Sequence, residues 1–333
     1  MTPRIRLVLL VAAVLGAVIG LSTLWVHLTL DPMADIRAYH DAASRLNRGE
    51  PLYAEGDSME YFYPPLLATL LRPFVVLPYP VFATAWEALM VAAFAVTLWR
   101  LGIRRRATWL AVGILGAPIA WTLSVGQAQA LVTLFVSFGS PLGIALAAQL
   151  KIFPALIVLY WIGRRAWRSV GRFVAWSVTL VLVQLITEPR GFIDFLAVTN
   201  LERVGQDRNV SVYAVSPVLW GAFVVVGLVT VLVLSRTRWG WSAAVVFSTV
   251  ATPRLLMYML MTLIAALDRP VQPGGARVTG SASLPDGFVR ALGRRTRRHL
   301  DACGRQRSGA GTATSGYPLS TGRSVDWPRC PPP

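Results

Sequence analysis

The chain has 333 residues, of which 55% are hydrophobic and 14% charged, and its formal net charge is +16. Soluble globular proteins average roughly 45–50% apolar and about 25% charged residues, so a mean hydropathy of +0.55 excludes a soluble domain as the body of this protein. Apolar stretches recur as far as residue 267, and backbone in hydrocarbon must satisfy its own hydrogen bonds, which predicts an all-α, polytopic transmembrane bundle.

The first apolar run follows Arg4 and Arg6 and lacks a clear small-residue cleavage site. It reads as an uncleaved span over about 5–26 rather than a signal peptide. A polar loop over 31–60 comes next, with seven acids (Asp31, Asp35, Asp41, Glu50, Glu55, Asp57, Glu60) against Arg37, Arg45 and Arg48. The whole chain holds 16 acids, so nearly half of them sit in this one stretch beside a membrane.

Arginine clusters at 4/6, 100/104–106, 164/165/168/172 and 236/238 mark the cytoplasmic side by the positive-inside rule, which places the acidic loop outside. The stretch 65–77 is too short to cross and is expected to be interfacial or re-entrant, and 81–99 returns inward. A further span over about 107–123 leads out to Gly126-Gln127. From 127 to 163, breaks at 139–141 and 151–154 divide the chain into a helix, a turn and two half-helices, with Lys151 near the outer surface. The segments 173–187, 212–235, 239–252 and 255–267 complete about eight to ten membrane segments, with a polar outer loop at 188–211.

Residues 1–267 therefore form the membrane domain, with 31–64 as an outer catalytic loop. The rest, 268–333, is rich in Arg, Gly, Ser, Pro and Thr and cannot bury enough apolar area to offset chain entropy. It is expected to be disordered. It reads either as an electrostatic tether to anionic lipid or as an out-of-frame extension of a truncated membrane domain; the second is favoured because nothing in it resembles an evolved module. Cys303 and Cys330 both fall in this tail and form no ligand spacing with His27, His40 or His299, so no metal site is expected. The only lysine is Lys151. A basic excess made of loop and tail arginines points to membrane topology and away from nucleic acid.

The candidates for chemistry start at Asp35. Helical spacing puts Tyr39 one turn on, with Ala38 and Ala42 nearby. Asp35 is either a helix cap or a base able to take a proton from a sugar hydroxyl. Lys151, a charge in an apolar segment, is either a phosphate ligand or a lysine snorkelling to the interface. Arg254, at the Thr252-Pro253 break, has the same two readings. Gln127 orients a sugar hydroxyl or joins helices. Tyr63 and Tyr258 are sugar platforms or members of the interfacial aromatic belt. Asn209-Val210-Ser211 matches a glycosylation sequon, read here only as the mark of an outer loop.

These motifs occur in a recognisable order: Asp35-Ile36-Arg37-Ala38-Tyr39, then 46–53 (LNRGEPLY), Tyr61-Phe62-Tyr63-Pro64-Pro65-Leu66, Gly126-Gln127, the 151–154 break followed by Tyr160, and Ala251-Thr252-Pro253-Arg254. The ordered set, over about 7–267, resembles the polyprenol-phosphate-mannose-dependent mannosyltransferases of glycosyltransferase family 87. The resemblance implies a GT-C architecture and a site outside the bacterial plasma membrane. It also implies a polyprenyl-phosphate-mannose donor with no further cofactor and a glycolipid or lipoglycan acceptor. By position, Asp35 matches the family's catalytic aspartate, a general base in an inverting transfer. Two departures stand out: 139–150 is shorter than the family pattern, and 254–261 holds no histidine. A transporter or flippase and an inactive scaffold are the rival readings; the transporter is disfavoured because no internal repeat is evident.

Overall fold

The computed structural model describes residues 2–30, 32–53, 61–198 and 209–268. These belong to one unit within Met1–Gln272 and contain helices and no strand. Asp31, Glu55, Asp57 and Glu60 of the acidic loop, and the tail beyond Asp268, lie outside the described residues.

Four helices are long and apolar enough to cross a bilayer: α1 (Pro3–Leu30), α4 (Tyr79–Leu101), α10 (Trp167–Thr187) and α13 (Pro217–Leu234). The helices α5 (Arg106–Ile114) and α6 (Gly116–Ser124), bent by 70°, make a fifth span when taken as a pair. Pro118 lacks the N–H that would bond the carbonyl of Ile114, and Gly113 and Gly116 flank the break, so the bend has a covalent cause. The remaining apolar segments are short: α8 (Pro141–Leu150), Phe153–Gly163, α14 (Gly240–Val250) and Met257–Leu267, besides α7 (Gln129–Ser137). At 1.5 Å per residue a ten-residue helix rises about 15 Å, half of a hydrocarbon core of about 30 Å. The apolar segments expected from the sequence are thus present, but only four or five have the length of a full crossing. The stretch 127–163 does resolve into a helix, a turn and two further short helical pieces. Within 65–77 the only helix is α3 (Pro65–Leu71). In the outer loop at 188–211, the described part contains α11 (Pro189–Val198).

Local sequence sets the boundaries. Ser140 caps α8 by accepting from the Gly143 N–H at 3.1 Å, ahead of Pro141 at the first helical position, and Ser216-Pro217 opens α13 in the same way. In α2 (Ala34–Arg48) the cap position is Met33, in the left-handed region at φ 57° with no side-chain capping bond. Asp35 sits in the first turn instead, where the helix dipole favours its charge.

The helices α1 and α5–α6 run side by side in the same direction. Gly16 lies against Gly113 and Ile114, and Gly20 against Gly116. Further along, His27 stacks on Trp121 with centroids 5.0 Å apart, and the N–H groups of Met33 and Asp35 donate to the carbonyls of Ser124 and Val125 at 3.0 and 3.1 Å. A Cβ on Gly16 would fall 2.3 Å from the Gly113 carbonyl oxygen, and one on Gly20 2.6 Å from the Gly116 carbonyl carbon. Gly16 and Gly20 are a small-xxx-small pair, and such pairs join helices in lipid where no hydrophobic force separates partner from solvent. Gly16→Leu is expected to force the two backbones apart at a cost of about 1–3 kcal/mol or more, read as a lower thermal midpoint in detergent. An unchanged midpoint would show that this contact does not stabilise the fold.

Polar groups tie the remaining elements. Gln184 in α10 accepts from the Leu66 N–H at 3.1 Å and donates to Gln149 Oε1 at 2.6 Å, joining α3, α8 and α10 by a buried amide relay. Arg72 binds Glu188 at 2.9 Å and Asn47 at 3.0 Å.

At one end of the bundle, Arg100 donates to the Ser137 carbonyl at 3.2 Å and lies 3.8 Å from Asp268. Arg164 donates to the Ser235 carbonyl, Arg236 to that of Gly163, and Trp241 Nε1 to that of Ala265. Together with the parallel start of α1 and α5, these contacts bring all four arginine clusters to the same end, as the charge parity required.

Candidate active site

The opposite end is polar. Asp35, near the start of α2, accepts from Gln127 Nε2 at 2.7 Å. The Tyr39 hydroxyl, one turn on, donates to Gln127 Oε1 at 2.8 Å, and the Tyr63 hydroxyl donates to the same oxygen. The Ala128 N–H in turn donates to Tyr39 at 3.2 Å. Reversing the Gln127 amide would put its oxygen against a carboxylate, so one orientation satisfies every member of the set. Burial, and secondarily the Asp35 charge, pushes the Tyr39 phenol well above the ordinary tyrosine range; burial does the same to Tyr63. Both hydroxyls therefore keep their protons and act as donors.

The Gly126-Gln127 turn makes this arrangement possible. Gly126 has φ 70°, and a Cβ there would come within 2.2 Å of Ile36 Cγ1, so the position admits only glycine. Its carbonyl accepts from Trp86 Nε1 at 2.8 Å, and the Trp86 ring lies 5.3 Å from that of Tyr39.

Lys151 follows α8 at the break before the 3₁₀ turn Phe153–Ile157. Its ammonium donates to the Tyr258 hydroxyl at 3.2 Å and lies 4.3 Å from the Tyr258 ring centre and 5.6 Å from that of Tyr63. Tyr258 opens the 3₁₀ helix Met257–Leu267, and its backbone carbonyl accepts from the Thr122 hydroxyl at 3.3 Å. From the Arg164 end to Lys151 the chain rises roughly 20 Å. That is less than a hydrocarbon core of about 30 Å. Lys151 also lines a cavity of about 30 Å³, together with Gln129, Ser248, Thr249, Thr252 and Thr262 among others, room for a water or two. Gln129 Oε1, buried there, has no hydrogen-bond partner among the described residues.

Arg254 lies with its guanidinium 4.7 Å from the centre of the Phe62 ring, and its buried Nε has no partner among the described residues. Asn209 is bonded throughout: its amide donates to the Pro253 carbonyl at 2.9 Å and accepts from the N–H groups of Ser211 and Leu255 at 3.0 and 2.9 Å. The sequon at 209–211 is thus part of the fold, with its amide nitrogen already engaged.

The structure brings Asp35, Tyr39, Tyr63 and Gln127 into one hydrogen-bonded group and sets Lys151 and Tyr258 beside it through the Tyr63 ring. Arg254 is tied to the same loop through Phe62. Sequence reasoning missed Trp86, Phe62 and Gln129; a glutamine among apolar residues and a tryptophan one residue from an acid (Glu87) within a span were the signals available. Among the described residues no group of three or more His, Cys, Asp or Glu side chains converges.

Fold and site together define a polytopic all-α membrane protein with a carboxylate, an ammonium and a set of tyrosines gathered at the end away from its four arginine clusters. The family model for glycosyltransferase family 87 matches residues 61–270, well over half of the chain. The chain belongs to that family. It is 31% identical over 128 residues to the polyprenol-phosphate-mannose-dependent alpha-(1-2)-phosphatidylinositol pentamannoside mannosyltransferase of Mycolicibacterium smegmatis, covering 34% of this chain and 31% of the relative. It is 27% identical over 212 residues to the same organism's polyprenol-phosphate-mannose-dependent alpha-(1-2)-phosphatidylinositol mannoside mannosyltransferase, covering 51% and 48%. The chain thus spans 31% and 48% of the length of the two curated relatives it matches. No solved structure matches it.

Proposed function

We propose that this protein is a membrane mannosyltransferase that moves mannose from polyprenyl-phosphate-mannose to a glycolipid or lipoglycan acceptor at the extracytoplasmic face of the cell membrane. The observation that carries the reading is the placement of Asp35, oriented at 2.7 Å by Gln127, whose amide also holds the Tyr63 hydroxyl, with the Lys151 ammonium facing the Tyr63 and Tyr258 rings.

In the proposed step an acceptor hydroxyl gives its proton to Asp35 as its oxygen attacks C1 of the sugar. The bond from C1 to the phosphate oxygen breaks, and the electron pair leaves with polyprenyl phosphate. A phosphodiester becomes a monoester, so negative charge grows on the leaving group, and Lys151 and Arg254 stabilise it in a site shielded from bulk water. Tyr39, Tyr63 and Gln127 hold the base in place, Tyr258 holds Lys151, and the faces of Tyr63 and Tyr258 are surfaces for a sugar ring. No step is routed through a metal or an added cofactor. The names of the two relatives point to phosphatidylinositol mannosides as the acceptor class to test first, and the 188–211 loop is the proposed acceptor contact.

The test is incubation of the purified full chain with radiolabelled polyprenyl-phosphate-mannose and a series of phosphatidylinositol mannosides. The expected product is a lipid longer by one mannose. Absence of product across the series from folded protein would overturn the reading.

A further inference from the structure

We propose that Asn209 is a positioning residue for Arg254, acting through the backbone of the 251–255 turn. The functional part of this inference rests on the reading of Arg254 as a ligand of the donor phosphate. Within a membrane protein, backbone that leaves the helix must find partners for its polar groups. Here Pro253 breaks the helical pattern, and the exposed carbonyls of the turn are taken up from a single stretch of chain. The Ala251 carbonyl accepts from Trp220 Nε1 at 2.9 Å, and the Pro253 carbonyl from Asn209 Nδ2 at 2.9 Å and Ser211 Oγ at 2.6 Å. The Leu255 carbonyl accepts from the Val210 N–H at 2.9 Å, and the Leu255 N–H returns a bond to Asn209 Oδ1 at 2.9 Å.

Among the described residues Asn209 alone bonds on both sides of Arg254, to the carbonyl before it and to the N–H after it. That pair of bonds fixes the peptide planes flanking Arg254, and with them the direction in which its side chain leaves the backbone. The guanidinium is then laid over Phe62, beside Tyr63 of the base network, with Nε buried and without a partner among the described residues. A cation held in that state is poised for an anion. Asparagine is the side chain for this task because one end of its amide donates and the other accepts; aspartate would set a carboxylate oxygen against the Pro253 carbonyl, and alanine would leave both bonds unmade.

Two measurements on the full chain in lipid nanodiscs test this. The first needs no ligand: the rate at which phenylglyoxal modifies Arg254, read by mass spectrometry, with Arg100 and Arg164 as internal references. Asn209→Ala and Asn209→Asp are expected to raise the Arg254 rate several-fold and leave the references unchanged. An unchanged Arg254 rate in both variants overturns the proposal. The second is binding of a polyprenyl monophosphate, used as the probe for the donor head group. Asn209→Ala is expected to weaken it roughly five- to twentyfold in wild-type background and less than twofold when Arg254 is already alanine. A loss of equal size in both backgrounds would make Asn209 a general scaffold residue and overturn the coupling. If wild type does not bind the probe, the donor reading fails, and the labelling rates still decide whether Asn209 sets Arg254.

Discussion

Asp35→Asn is expected to lower kcat for mannose transfer by roughly 10²–10⁴-fold, the usual yield of a positioned general base. Donor affinity should stay the same or tighten slightly. The substitution keeps the shape of the side chain, and the carbonyl oxygen of asparagine can still accept from Gln127 Nε2, so the local network survives. What is lost is the capacity to take the acceptor's proton. Removing a negative charge close to where phosphate is proposed to bind also lifts some repulsion of the anionic donor. The check is single-turnover transfer from labelled donor beside a binding measurement on the same preparation. Equal rates for wild type and variant would remove Asp35 from the chemistry, whereas a loss of both binding and rate would mark it as structural.

Lys151→Met should move stability and activity in opposite directions. The ammonium is met by one phenol at 3.2 Å and two ring faces at 4.3 and 5.6 Å. Cation–π contacts contribute about 0.5–2 kcal/mol, whereas removing a charge from water costs several kcal/mol. Methionine fills similar volume without that cost, so the thermal midpoint should hold or rise. Donor binding should weaken by roughly 10–100-fold, since a charge-assisted contact to phosphate is lost. A variant that loses its midpoint and its activity together would show that Lys151 serves the fold first.

Much of the site was legible in the sequence because its members are polar residues where apolar ones are the rule. Asp35 and Tyr39 one turn apart, the Gly126-Gln127 break, and the lone lysine each departed from their surroundings, and the structure joins Asp35, Tyr39 and Gln127 directly. The arginine clusters gave the common end of the bundle because charge cannot be hidden in hydrocarbon. Other features left no such mark. The nine to eleven residues of α7, α8 and α14 look like parts of crossings because the apolar pattern reports the solvent and not the depth reached. The pairing of α1 with α5–α6 was hidden, since in lipid a packed face and a lipid-facing one have the same hydrophobicity and only Gly16 and Gly20 distinguish them. A sequon is a local string and marks Asn209 only as part of a loop, while two of its three bonds reach a turn more than forty residues away. A helix cap is one of the two readings the sequence leaves open for Asp35, and the backbone gives the cap position to Met33 instead.

The order in which these pieces leave the ribosome has a consequence for biogenesis. Asp35 meets Gln127 across 92 positions of chain, and Lys151 meets Tyr258 across 107. At synthesis rates of about 5–20 residues per second, the first contact waits roughly 5–18 s and the second about 5–21 s more after Lys151 has emerged. Until residues 106–124 have been made α1 lacks the parallel partner its glycines fit, and until Gln127 follows Asp35 lacks its amide. The Lys151–Tyr258 contact forms only when the apolar segment carrying Tyr258 has been inserted. The polar end of the bundle is therefore incomplete until residue 258 has been made, and slow insertion of that segment would be felt first there.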